Sequence, residues 1–136
     1  MKTLLDTNVI VRHLTQDPAD LGQAATKFLA SADDLVLTDV IAAETVYVLQ
    51  SFYRTTRPVI AAAMRALIAM KSVTVEHEGI LLHCLELYET KRIDFADAYL
   101  GAYGEAKNIN TVASFDKDLN KCRTITRLDP ANQDTQ

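Results

Sequence analysis

A chain of 136 residues, 49% hydrophobic and 24% charged, carries enough apolar content for one ordinary core and too much to stay disordered. No apolar run is long enough to cross a bilayer, and the N-terminus lacks the basic-then-apolar pattern of a secretion signal, so a soluble cytoplasmic protein is expected. A net charge of −4 argues against nucleic-acid binding through bulk charge, unless the acids converge on cations that reverse the local field.

Strand and helix signals alternate along the chain. Thr3 to Leu5 reads as a strand, with Asp6 at its end, and Val9 to Leu14 as a short helix. Asp17 is placed to cap the next helix, with Pro18 at its first position and an apolar face running to about Ala32. Leu35 to Thr38 is a second strand. Thr38 or Asp39 then caps an apolar helix through about Tyr53, and residues 58 to 71 form another after Pro58. Ser72 to Val75 is the third strand, followed by a helix from Glu78 to Glu89, a connector at Lys91 to Ile93, and a helix from Asp94 to Lys107. Gly101 and Gly104 give that last helix a smooth face that another element can approach closely. Thr111 to Ser114 is the fourth strand, Lys117 to Cys122 at least one helical turn, and Thr124-Ile125 a short fifth strand. Alternation without hairpin turns predicts a parallel sheet of four to five strands with helices on both faces. One domain spans residues 1–127, and a polar, loose tail follows at 128–136.

Cys84 and Cys122 are far apart and form no C-x-x-C pair, so two reduced, packed thiols are expected, and no Cys/His cluster has zinc spacing. His13, His77 and His83 are scattered and read as surface or half-buried residues.

The acids carry the chemistry. Asp6 and Asp116 each follow a strand, where open α/β sheets place their ligands, although a polar residue there also serves as a loop or helix cap. Glu44 shares a helix face with Val40, Ile41, Tyr47 and Val48, where an ionised carboxylate is costly to bury without a positive partner. The alternative is a partly exposed glutamate paired with an arginine. Asp94 and Asp97 lie three apart on one helix, where like charges repel and a cation would relieve them. Asp94 reads equally well as an N-cap, and Asp97 suits the helix dipole. Several carboxylates, with no Ser-His or Cys-His pair, point to divalent-metal chemistry. Mg²⁺ prefers oxygen ligands and keeps several waters, and such an ion supports phosphoryl displacement by water. No Gly-rich phosphate loop is present, which leaves a phosphodiester, and so nucleic acid, as the substrate.

Four segments, in this order, resemble the PIN-domain family and, within it, the VapC toxins of bacterial toxin–antitoxin pairs. They are Leu4-Leu5-Asp6-Thr7-Asn8, Thr38-Asp39-Val40 through Glu44, Asp94-Phe95-Ala96-Asp97-Ala98, and Ser114-Phe115-Asp116-Lys117-Asp118. The resemblance covers about the first 125 residues. It implies an α/β/α sandwich around a parallel sheet and a Mg²⁺- or Mn²⁺-dependent ribonuclease. Carried over by position, Asp6, Glu44, Asp97 and Asp116 form an acidic quartet. Asp6 and Asp97 are then the principal metal ligands, and Glu44 and Asp116 support them or orient the attacking water. Thr7 and Ser114 resemble flanking hydroxyl residues, and Asp94 an additional acid. The resemblance also implies a homodimer and a cognate VapB-type antitoxin that enters the site with an Arg or Lys, within a higher-order complex that reaches operator DNA only through the antitoxin. Arg12, Arg54, Arg57, Lys91, Arg92, Lys117 and Lys121 lie near the ends of site-bearing segments and form a candidate phosphate rim for RNA.

Two other readings fit the same residues: a PIN nuclease of RNA maturation or decay without an antitoxin, and a non-catalytic acidic receiver or binding module switched by phosphorylation. A haloacid-type phosphatase fits less well, because Asn8 stands where a second aspartate is needed.

Overall fold

Strand β1 (Lys2–Leu4) runs parallel to β2 (Asp34–Leu37), which runs parallel to β3 (Val73–Val75), in the order β1-β2-β3. Parallel neighbours need crossovers, and helices supply them. Helices α1 (Thr7–Thr15) and α2 (Ala19–Ser31) connect β1 to β2; α3 (Asp39–Ser51) and α4 (Arg57–Ile68) connect β2 to β3. A computed structural model describes residues 1–135 of the chain, with side chains described through residue 132. It divides into two compact units, the first covering Met1–Glu78 and the second beginning at Gly79.

In the first unit, Leu4 lies opposite Val36 and Leu37 opposite Val75. This register brings Asp6, just past β1, level with Thr38, just past β2, at the carboxyl edge of the sheet. Leu5, Ile10, Leu29, Leu35, Leu37 and Met64 are buried there, and α1 packs against both α2 and α3. Thr38 is the cap of α3: its hydroxyl accepts the Ile41 N–H at 3.3 Å. Asp17 is not the cap of α2, as its position suggested. Pro18 takes that place, and the Asp17 carboxylate accepts the Tyr53 hydroxyl at 3.2 Å instead.

The second unit holds most of α5 (Glu78–Thr90), α6 (Phe95–Lys107), β4 (Thr111–Ala113), a 3-10 helix at Lys117–Lys121, and β5 (Thr126–Leu128). β5 runs parallel to β4, with Val112 opposite Arg127. The fifth strand therefore forms two residues later than the sequence suggested. Thr124 and Ile125 lie outside it, and ordered structure passes residue 127 into a 3-10 segment at Pro130–Thr135. The end of the expected loose tail, Gln136, lies outside the described residues. Leu81, Leu85, Ile93 and Leu119 are buried, and Tyr88 meets Phe95 edge to face at 5.9 Å. Both cysteines are buried and unpaired with each other.

Parallel strands linked by helices make this an α/β fold, the class that the alternation predicts. The five strands among the described residues pair as three in one unit and two in the other. Among the described residues, no helix is long and apolar enough to cross a membrane.

The small residues of α6 set its packing. A Cβ on Gly104 would lie 2.5 Å from the carbonyl oxygen of Ile109, and one on Gly101 2.9 Å from Cys122 Sγ. The Cys122 side chain can yield, but the Ile109 backbone cannot do so without shifting the start of β4. Gly104→Ala is therefore expected to destabilise the protein by about 1–3 kcal/mol, despite alanine's better helix propensity. Urea denaturation measures this, and a rise in stability would contradict the close approach.

Candidate metal centre

Three carboxylates meet in the second unit. Asp94 occupies the N-cap position of α6, and its carbonyl accepts the Ala98 N–H at 2.8 Å. Its side chain makes no capping hydrogen bond. Asp97 follows in the first turn. Asp116 arrives from the other direction, on the loop after β4, and α6 packs against both β4 and the 3-10 helix beyond. One carboxylate oxygen from each of Asp94, Asp97 and Asp116 lies within 4.8 Å of the other two. Asp94, which read equally as a cap and as a site member, thus sits in the acidic group without capping its helix through its side chain.

The loop carrying Asp116 is fixed by hydrogen bonds. Ser114 N–H donates to the Leu128 carbonyl at 3.0 Å, extending the β4–β5 ladder. Ser114 Oγ accepts the Asp116 N–H at 2.9 Å, and Asp116 Oδ1 accepts the Asp118 N–H at 2.9 Å. Arg127 Nη1 donates to the Ser114 carbonyl at 2.8 Å. Asp116 is therefore both the cap of a 3-10 helix and a member of the acidic group.

The electrostatics follow from the crowding. Burial raises the Asp97 carboxyl to about 7, reinforced by its hydrogen bond to Asp116 and by the charges of Asp116, Asp94 and Asp118. Asp116 is held below the usual carboxylate range, first by the hydrogen bond from Asp97, then by the Asp118 N–H and the charges of Lys121 and Arg127. The opposite shifts describe one arrangement: the carboxyls of Asp97 and Asp116 share a hydrogen bond and titrate as a pair, with the raised value falling to the more buried Asp97. A group that holds a proton because anions crowd it is suited to hold a cation in its place. Three carboxylate oxygens are a hard donor set that fits Mg²⁺ or Mn²⁺ with water completing the shell.

The remaining acids of the predicted quartet stand in the first unit. Asp6 is the N-cap residue of α1, exposed, with no capping hydrogen bond from its side chain. Thr7 beside it is 5% exposed, and its hydroxyl has no hydrogen-bond partner among the described residues. Glu44 lies within α3 and is exposed. Its apolar neighbours do not bury it, as their composition suggested, because Val40 and Tyr47 are themselves 75% and 69% exposed. The expected desolvation of Glu44 is absent.

The basic residues divide in the same way. Arg12 donates from Nη1 to the Asp17 carbonyl at 2.7 Å, and Arg54 and Arg57 flank the turn into α4, all in the first unit. In the second unit, Lys91 and Arg92 occupy the connector before α6, and Lys117 and Lys121 the 3-10 helix. Lys121 pairs with Asp118 at 3.4 Å, an exposed contact of small energetic weight. Arg127 is a neighbour of the acidic group that sequence reasoning missed, and Asp118, quoted there only within the fourth motif, is another. Placing β5 at residues 124–125 left Arg127 outside any element, whereas its position opposite Val112 directs it to the acidic loop. The histidines are satisfied locally: His13 with Thr26, His77 with Asp39, His83 with Glu105.

A family model described as the PIN domain matches residues 3–124. No curated protein matches the chain.

A pH dependence follows for the metal-free protein. The native state keeps the Asp97 proton to about 7, whereas the unfolded chain loses it near 3.8. This contribution to stability is complete below about 4 and is lost as pH rises toward 7. The depressed Asp116 acts in a lower window, losing its contribution as pH falls below the ordinary carboxylate value. In EDTA, thermal melts between pH 4.5 and 7.5 are expected to show a decline with rising pH that Asp97→Asn reduces. A decline of equal size in that variant would contradict the assignment.

Proposed function

The chain belongs to the PIN-domain family, a family of nucleases with a three-layer α/β/α fold, and from that premise we propose that it is a divalent-metal-dependent endoribonuclease and the toxin of a VapBC-type pair. The observation that carries the metal-dependent reading is the meeting of Asp94, Asp97 and Asp116 carboxylate oxygens within 4.8 Å.

In this reading Asp97 and Asp116, with Asp94 beside them, hold Mg²⁺ or Mn²⁺, and the sequence motifs assign Asp6 as a further ligand and Glu44 as a supporting acid. The chemistry such an ion supplies is activation of water and stabilisation of charge on the phosphoryl oxygens. The chain's own residues hold the geometry. The Ser114 hydroxyl and the Arg127 guanidinium fix the loop that presents Asp116. Lys117 and Lys121 extend from the same segment, where they can meet phosphates on either side of the cleaved bond. Thr7 contributes an unpartnered hydroxyl next to Asp6.

The toxin role rests on the ordered motifs and on a suitable surface for an antitoxin. Asn8, Val9 and Arg12 of α1 and Leu21, Ala24 and Phe28 of α2 line a largely apolar groove of about 510 Å³. Its apolar walls and single guanidinium suit an amphipathic antitoxin segment carrying a carboxylate. A homodimer in the cytoplasm completes the proposal. A metal nuclease without an antitoxin is the second reading, and the acidic group favours it equally.

Asp97→Asn and Asp6→Asn are each expected to reduce cleavage of total RNA to background while leaving circular dichroism unchanged. EDTA should stop the wild-type reaction, and Mg²⁺ or Mn²⁺ should restore it. Undiminished cleavage by folded Asp97→Asn protein would falsify the proposal. Thr7→Val separates folding from function beside Asp6. Removing an unsatisfied buried hydroxyl should leave stability within about 1 kcal/mol of wild type, or raise it, while cleavage falls. Unchanged cleavage would reduce Thr7 to a packing residue.

A further inference from the structure

Phe115 is the most exposed aromatic of the second unit after the acidic group is accounted for: 73% of its surface is open to solvent. Single exposed apolar residues are common on protein surfaces. The position of this one is not ordinary. It lies between Ser114 and Asp116, so its Cα is about 3.8 Å from that of an acid of the candidate metal centre. The turn beneath it is closed on both sides. The Ser114 N–H donates to the Leu128 carbonyl, the Ser114 carbonyl accepts from Arg127, and the Asp116 N–H is bonded back to Ser114 Oγ. With Ser114 and Asp116 committed to these bonds, Phe115 projects away from them into solvent, and the ordering of its backbone is already complete before any ligand arrives. Lys117 follows, exposed.

An aromatic ring on a fixed turn, flanked by an acid suited to a cation and by an ammonium, matches the repeating chemistry of a single-stranded nucleic acid. A base offers its flat face, and the linkages beside it offer phosphates. Double-stranded RNA hides those faces within its stack, whereas loops and single strands can splay a base outward. We propose that Phe115 is a stacking platform for one unpaired nucleobase of the substrate, seating the adjoining phosphodiester at the acidic group. This deepens the nuclease reading and rests on it for the identity of the cleaved bond. It makes Phe115 a substrate-binding residue that selects unpaired RNA.

The chain has no tryptophan, so Phe115→Trp provides a single tryptophan, selectively excitable above the tyrosine band, at the position in question. The probe is hexauridylate in EDTA, which cannot be turned over by a metal nuclease, with an abasic ribose-phosphate strand of the same length as control. Stacking predicts quenching by hexauridylate that is lost with the abasic strand. A second variant, Phe115→Leu, keeps an apolar side chain and removes the ring. In Mg²⁺ it should raise KM for a single-stranded oligonucleotide about tenfold with little change in kcat, and Phe115→Trp should restore it. Equal quenching by the abasic strand, no quenching at all, or an unchanged KM in a folded Phe115→Leu protein each overturns the proposal; absence of quenching would leave Phe115 to a protein partner. Quenching by the base-bearing strand in a protein that cleaves no RNA would sustain the platform and remove the nuclease reading, so the two fail separately.

Discussion

The mutual repulsion of Asp94, Asp97 and Asp116 is the constraint on which the second unit turns. One carboxylate oxygen from each lies within 4.8 Å of the other two, and like charges so close disfavour the ionised form. The fold supplies part of the compensation through the Asp118 N–H and the charges of Lys121 and Arg127, all acting on Asp116. The remainder shows in the Asp97 carboxyl, which burial and its acidic neighbours push up to about 7. A fold selected only for stability gains little from such a group, since replacing one acid by an amide would remove the repulsion and keep most hydrogen bonds. The crowding makes sense as a place prepared for positive charge.

Holding acids close requires rigid elements behind them. Asp94 and Asp97 ride on the first turn of α6, and the helix is seated by close approach at its glycines. Gly104 sits under the Ile109 carbonyl and Gly101 under Cys122. Cys122 closes the 3-10 helix that follows Asp116, so the thiol links the helix carrying two acids to the segment after the third. Burial and the nearby Asp97 charge raise this thiol above its ordinary value, leaving it a packing group rather than a nucleophile. On the other side Arg127 reaches from β5 to the Ser114 carbonyl. The acids are thus clamped between a helix and a strand pair, and the chemistry is placed by backbone packing more than by the flexibility of the side chains.

The alternation of strands and helices was legible because each type carries its own period, and the caps were legible where a hydroxyl faced a free N–H, as at Thr38. Asp97 and Asp116 could be singled out because each follows an element that ends at a sheet edge or begins a helix there. The role of Asp94 could not, since a cap and a ligand have the same residue type at the same position, and only the absence of a capping bond separates them. Glu44 shows a different limit. Apolar composition around it implied burial, but composition does not distinguish a core-facing helix stripe from an exposed one, and Val40 and Tyr47 face solvent. Arg127 was hidden for a topological reason. The weak alternation of Thr124 to Leu128 allows the strand to start at either end, and a shift of two residues decides whether Arg127 lies opposite β4 or just beyond the strand.

The net charge of −4 loses its force as an argument against a polyanionic substrate once charge is considered locally. Phosphate contacts depend on the field within a Debye length of about 8–10 Å, and across that range the acids are not a fixed quantity. With the Asp97 proton retained, the group carries less negative charge than its formula suggests; with a divalent cation bound, it becomes a phosphate-attracting centre. On the nuclease reading, the occupant that supports hydrolysis is therefore also the one that admits the substrate. RNA would bind the metal-free protein more weakly than the loaded one, with Lys117 and Lys121 adding their charge at the same loop. An acidic protein can then select its moment of engagement through the state of three side chains, without a basic surface that would hold RNA indiscriminately.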